Sequence, residues 1–140
     1  MKLGIFAKTF AGETPDIVLA AAREAGYEAV QYNMSCSGLG SLPIEISCKA
    51  TETITIAVAK TGIDIAAVSA TYNMVHPDPT KRNAGRASFS IIAGQARRIG
   101  TRLLTVCTGS RDPDDKWRHH PSNQSPETWR DMVLEFEMLI

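Results

Sequence analysis

Three glycines set the strongest constraint on how this chain folds. Gly26, Gly62 and Gly100 each follow a stretch with helical patterning and precede a short apolar run within a few residues. They stand 36 and 38 residues apart. Glycine enters the left-handed conformation that ends helices without steric cost, and a strand with its crossover helix takes about 30 residues. The apolar runs are Lys2–Ala7, Ala29–Tyr32, Ile63–Ala70 and Arg102–Cys107. Most are continuous rather than alternating, the pattern of strands buried on both faces in a parallel sheet under helices. Strands that alternate with helices join by right-handed parallel crossovers. The expected fold is therefore α/β: four βα units, with a parallel sheet of order 1-2-3-4, amounting to half of a (β/α)8 barrel.

Helix starts support the same division. Thr14-Pro15-Asp16 and Ser125-Pro126-Glu127 each combine a capping hydroxyl, a proline suited to the first turn and an acid suited to the positive helix end. The first helix is expected to bury Ile17, Val18, Ala21, Ala22 and Ala25 and to stop at Gly26. The second covers roughly 49–60. The third starts near Thr80 and runs through Phe89, Ile91, Ile92 and Ala96 to Gly100. The fourth carries Trp129, Met132, Val133, Phe136 and Leu139, with Trp129 expected in the core. It reaches Met138-Leu139-Ile140 with no glycine and no basic residue, so the sequence reads as cut in mid-pattern. Residues 1–140 are expected to form one domain, the N-terminal half of a barrel. Its first and fourth strands would lack neighbours, and Ile5, Val30, Val68 and Val106 would leave an apolar concave face uncovered. That arrangement predicts a homodimer, an aggregate or a complementing half-barrel as partner.

Charge narrows the function classes. Fifteen basic and fifteen acidic residues give a formal net charge of zero, which offers no footprint for nucleic acid or a membrane surface. The three cysteines, Cys36, Cys48 and Cys107, are odd in number and widely spaced, so they read as reduced thiols of a cytoplasmic protein rather than a zinc or disulfide framework. Neither a signal peptide nor a membrane span is visible.

Two segments at strand ends carry the chemistry. Ala70-Thr71-Tyr72-Asn73-Met74-Val75-His76-Pro77-Asp78-Pro79 follows the third strand. Cys107-Thr108-Gly109-Ser110-Arg111-Asp112-Pro113 follows the fourth, with Trp117-Arg118-His119-His120-Pro121 just after. Together with the Gly26 and Gly62 junctions, they resemble the sugar phosphate isomerase/epimerase family, whose members have the xylose isomerase-like TIM barrel shared with endonuclease IV-type repair nucleases. The resemblance spans the whole chain but only the N-terminal half of that barrel. It implies a divalent metal, manganese or magnesium, that polarises a sugar carbonyl while a carboxylate moves the adjacent proton. In the family, glutamates, an aspartate and a histidine from the fifth and later strands hold the metal and do the proton transfer. This chain is accordingly expected to supply no catalytic residue, to bind no metal and to be inactive alone. Two rival readings remain: an abasic-site endonuclease of the same fold, and a non-catalytic, self-associating half-barrel.

Barrel sites lie at the C-terminal ends of the strands, which selects the candidate substrate-binding residues: Lys8, Asn73, His76, Thr108, Arg111 and Trp117. Asn73 offers both donor and acceptor to sugar hydroxyls, or serves a turn. His76 contacts a hydroxyl, or metal as in the nuclease-type relatives, or is a loop histidine bonded to backbone. Arg111 clamps a phosphate or carboxylate, or pairs with Asp112, Asp114 or Asp115. Trp117, in the long loop from Gly109 to Gln124, covers the apolar face of a sugar or anchors the loop. Lys8 and Thr108 sit just beyond the first and fourth strands.

Overall fold

A computed structural model describes residues 1–140. Its four strands are β1 (Gly4–Phe6), β2 (Ala29–Tyr32), β3 (Asp64–Ser69) and β4 (Leu104–Thr105). They pair in the order β1-β2-β3-β4, and every pairing is parallel. The helices are α1 (Pro15–Glu24), α2 (Cys48–Thr61), α3 (Pro79–Ile99) and α4 (Pro126–Leu139). This is the α/β half-barrel arrangement read from the glycine repeat.

Local chemistry explains the boundaries. Proline occupies the first turn of α1, α3 and α4, where its missing N–H costs nothing. Ser47, Asp78 and Ser125 accept hydrogen bonds from backbone N–H groups of the turns they cap. Thr14 does not; its side chain makes no such bond, so proline alone marks that start. Gly62 and Gly100 close α2 and α3 with φ of 65° and 112°.

Strand register sorts the two faces of the sheet. Ile5, Val30 and Ile65 align across β1, β2 and β3, and Tyr32, Val68 and Leu104 align across β2, β3 and β4. These residues face the helices and pack with Val18, Leu19 and Ala22 of α1, Ile54 and Ala57 of α2, and Ile92 and Ile99 of α3. Burying each such aliphatic side chain contributes about 1.5–3 kcal/mol. The other face carries Phe6, Gln31 and Ala67 in register, then Ser69 beside Thr105. A bulge between Val30 and Gln31 adjusts that register. Across the small residues of β3, Gln31 Nε2 donates to Thr105 Oγ1 at 2.7 Å.

Three expectations are corrected. The concave face is not a bare apolar surface, because Val30 and Val68 are fully buried in the core; alternation along each strand sends the large aliphatics to one side and leaves small and polar residues, with Phe6, on the other. On α1, Ile17 and Ala25 are exposed, and Leu19 is buried instead. On α4, Trp129 is 65% exposed, and Thr128 and Glu135 are the buried residues. That helix is held by polar contacts to Tyr72, Arg82, Arg86 and Arg111, which decides the face it turns inward. No helix is long and apolar enough to cross a membrane.

Candidate functional site

Parallel strands deliver all their C-terminal ends to one side of the sheet, and several clefts form there. The cleft on the concave face measures about 290 Å3. Lys8, Gln31, Asn33, Thr71, Lys116 and Trp117 are among its nine lining residues. Lys8 belongs to the 3-10 turn Ala7–Thr9 that continues β1, and its Nζ donates to Ser41 Oγ at 3.3 Å. Asn33 ends β2 and spends its Oδ1 on the N–H of Ser35, capping the turn Met34–Ser37. Trp117 is 71% exposed, with the Lys116 ammonium 5.5 Å from the centre of an indole ring. A larger cleft of about 520 Å3 lies between the loop after β2 and α3, with Leu42, Ile44, Tyr72, Asn73, His76 and Lys116 on its walls. It is the more apolar of the two and sits at the rim. The smaller cleft is the one on which β1, β2 and β3 converge, so it holds the barrel-site position.

The loops after β3 and β4 are latched together by Asn73. Its Nδ2 donates to the carbonyl of Ser110 at 2.7 Å, and its Oδ1 accepts from the N–H of Ser110 at 3.0 Å. The latch requires glycine at the preceding position. Gly109 has φ 83°, and a Cβ there would come within 2.0 Å of Asn73 Oδ1. Gly109→Ala should therefore destabilise the chain by about 1–3 kcal/mol, the cost of a side chain held in left-handed backbone, with further loss from breaking the latch. Thermal unfolding measures this, and an unchanged Tm would count against the latch.

The sequence profile of the xylose isomerase-like TIM barrel family matches residues 19–137. The chain belongs to this family. Among solved structures, it is similar to the apo crystal structure of 3-keto-D-glucoside 4-epimerase, YcjR, from E. coli, with a TM-score of 0.70 and 16% sequence identity. The match covers 99% of this chain and 50% of that one, so the chain spans half the length of the epimerase. At that identity the likeness speaks for the fold. No curated protein matches the chain in sequence.

Within this xylose isomerase-like half-barrel, the six residues singled out from the sequence separate. Lys8 and Trp117 line the concave cleft. Asn73 and His76 line the rim cleft instead, and both are engaged. His76 is buried; its Nδ1 accepts from the N–H of Asp78 at 2.9 Å and its Nε2 lies 3.1 Å from the Pro113 carbonyl. This is the backbone-bonded loop histidine among the alternatives for that position. Thr108 is exposed beside a third cleft with Ser110, Lys116 and Arg118. Arg111 turns away from the strand ends. Its Nε donates to Thr128 Oγ1 at 2.6 Å and its guanidinium pairs with Asp131 at 2.6 Å, rather than with Asp112, Asp114 or Asp115. Asp112 is already committed: its Oδ1 accepts from the N–H groups of Asp114 and Asp115, which hold its carboxyl below the usual carboxylate range.

Sequence reading missed Lys116 and Gln31. Gln31 had a signal, as the one amide in an otherwise apolar strand. Lys116 had none, since a lysine in a loop is most often solvated. The residues present do not fit the divalent metal that the family resemblance implies. No group of three or more His, Cys, Asp or Glu side chains is placed to hold a metal ion, and no carboxylate lines the concave cleft.

Proposed function

We propose that this chain forms the sugar-binding half of an isomerase or epimerase site, with the metal and the proton-transferring carboxylates supplied by a complementing half-barrel or a further segment. The observation that carries this reading is the concave cleft, where neutral hydrogen-bonding side chains from the ends of β2 and β3, Gln31, Asn33, Ser69 and Thr71, meet beside an exposed indole. Amides and hydroxyls match sugar hydroxyls as donors and acceptors, and an aromatic face packs on the apolar face of a pyranose or furanose. Lys8 and Trp117 are the residues proposed to touch substrate. The three free thiols suit a reducing cytoplasm. An abasic-site nuclease is disfavoured by the zero net charge, because phosphate contacts dominate DNA affinity.

The reading is tested with the 140-residue chain and a set of ketoses. Amide shifts of Gln31, Asn33, Ser69 and Thr71 should move on titration with sugar. Turnover with added manganese or magnesium should stay at background, since loss of general acid–base groups alone costs about 10²–10⁴-fold and no carboxylate faces this cleft. Epimerisation by the chain alone would contradict the division of labour. Cleavage of abasic DNA would replace it with the nuclease reading.

A further inference from the structure

We propose that the rim cleft is a second binding site, separate from the sugar cleft, for a small apolar carboxylate such as an aryl or medium-chain alkyl acid. The walls decide the body of the ligand. The cleft measures about 520 Å3, within the range of about 300–1,000 Å3 that takes drug-sized molecules. Ala84, Ala87 and Ile91 of α3 form one side, and Leu42 and Ile44 of the loop after β2 form the other. Ile44 is 90% exposed, an aliphatic side chain left open to water at the lip. Loop and helix are tied together, since Ser88 Oγ donates to the Leu42 carbonyl at 3.3 Å. Gly85 lets α3 lie directly on the Tyr72 ring; a Cβ there would come within 2.3 Å of it.

The neutral polar groups of the walls argue against a sugar as the occupant, because each is already engaged. Asn73 spends Oδ1 and Nδ2 on Ser110, and His76 spends both ring nitrogens on Asp78 and Pro113. The Tyr72 hydroxyl donates to Glu135, and Ser88 Oγ serves Leu42. A polyol entering here would give up water without gaining partners. What remains is hydrocarbon and ammonium. Lys81 and Lys116 line the cleft, and none of its twelve lining residues is acidic. Lys116 donates to the Thr71 carbonyl at 3.3 Å. Lys81, in the first turn of α3, takes part in none of the molecule's ion pairs. Asp78 spends its Oδ1 on the N–H of Thr80. Asp114 and Asp115 line an adjoining cleft that Lys81 also lines, and neither pairs with it. A single unpaired cation at the mouth of an apolar cleft without acids selects an anion, and a carboxylate leaves the rest of the ligand free to be apolar.

The experiment titrates 2-naphthoate, its neutral isostere 2-naphthamide, acetate and D-fructose into the 140-residue chain, read by calorimetry and by the amide shifts of Ile44, Ala84, Ala87 and Ile91. 2-Naphthoate should bind at least about tenfold more tightly than acetate, through burial of its rings. It should bind about threefold more tightly than 2-naphthamide, the strength of an exposed ion pair, and added salt should erode that margin. Lys81→Gln should remove the preference for the acid and leave the amide bound. Ala87→Trp, which fills the cleft, and Ile44→Asp, which puts a charge on its lip, should each weaken both naphthyl probes. Both positions are exposed, and circular dichroism confirms that the variants fold. Equal affinity for acid and amide, or an acid preference that survives Lys81→Gln, overturns the proposal. So does acetate binding as tightly as 2-naphthoate, no binding of either naphthyl probe, or binding untouched by both Ala87→Trp and Ile44→Asp. D-Fructose should leave the four rim amides unmoved, and shifts there would overturn an apolar occupant. Its shifts at Gln31 and Thr71 test the sugar reading separately.

Discussion

Replacing Glu135 with alanine should cost about 3–5 kcal/mol, the usual penalty for removing one partner of a buried ion pair. Glu135 is 3% exposed on α4. Its Oε1 pairs with Arg86 at 2.7 Å and lies 3.6 Å from Arg82 Nε, while its Oε2 accepts from the Tyr72 hydroxyl at 2.9 Å. Burial, and then the bond to Glu135, push the Tyr72 hydroxyl to a higher pKa, so it stays a donor. Asp131 extends the network to Arg82 and Arg111. Alanine would leave the Tyr72 phenol without its acceptor and strip the Arg86 guanidinium of its carboxylate partner in a largely enclosed site, while Arg82 keeps only Asp131. A domain of this size has only about 5–15 kcal/mol in total, so the loss is a large share. Urea denaturation gives the number. Glu135→Gln, which keeps an acceptor for Tyr72 but removes the charge, should fall between wild type and alanine. A change under about 1 kcal/mol for alanine, the level of an exposed pair, would show that α4 is held by something else.

The same helix shows where a sequence stops being legible. The strand and helix positions could be read to within a few residues because their signals are local: a glycine after α2, a proline in the first turn of α3, an apolar run at β3. The inward face of α4 is not local. Its apolar pattern argues for burying Trp129 and Phe136, yet the surface it meets carries Arg82, Arg86 and Tyr72 from distant segments, and charge complementarity turns Asp131 and Glu135 inward instead. Arg111 followed the same logic. Three acids stand within four residues of it, but Asp112 is consumed by backbone N–H groups, and the free carboxylate is Asp131 on α4. At the site, the position of Lys8 followed from the end of β1, whereas Lys116 depends on how a long loop folds back over the strand ends to reach the Thr71 carbonyl.

That inverted packing of α4 also moves the surface on which we propose the chain associates. An apolar concave face was expected to drive pairing, but Val30 and Val68 lie under the helices and that face mixes Phe6 and Trp117 with polar side chains. The exposed apolar surface is on α4 instead. Trp129, Val133, Phe136 and Ile140 follow one another at helical spacing, all exposed. Such a stripe is the face a helix ordinarily buries, and contiguous apolar patches of this kind mark interaction sites. At the two edges of the sheet, β4 pairs only with β3, and the exposed Leu103 precedes it; β1 likewise pairs only with β2. Unpaired edge strands recruit further strands, and two copies related by a two-fold axis make the commonest closed assembly. Sedimentation velocity at micromolar concentration should therefore find a dimer or larger species. Trp129→Lys and Phe136→Lys should each weaken association about tenfold or more, the effect of losing an aromatic anchor worth about 2 kcal/mol. Both side chains are exposed, so the fold should survive and the Glu135 network remain intact. A well-folded monomer that unfolds cooperatively at those concentrations would overturn the association, and would mean that α4 tolerates its apolar stripe in water.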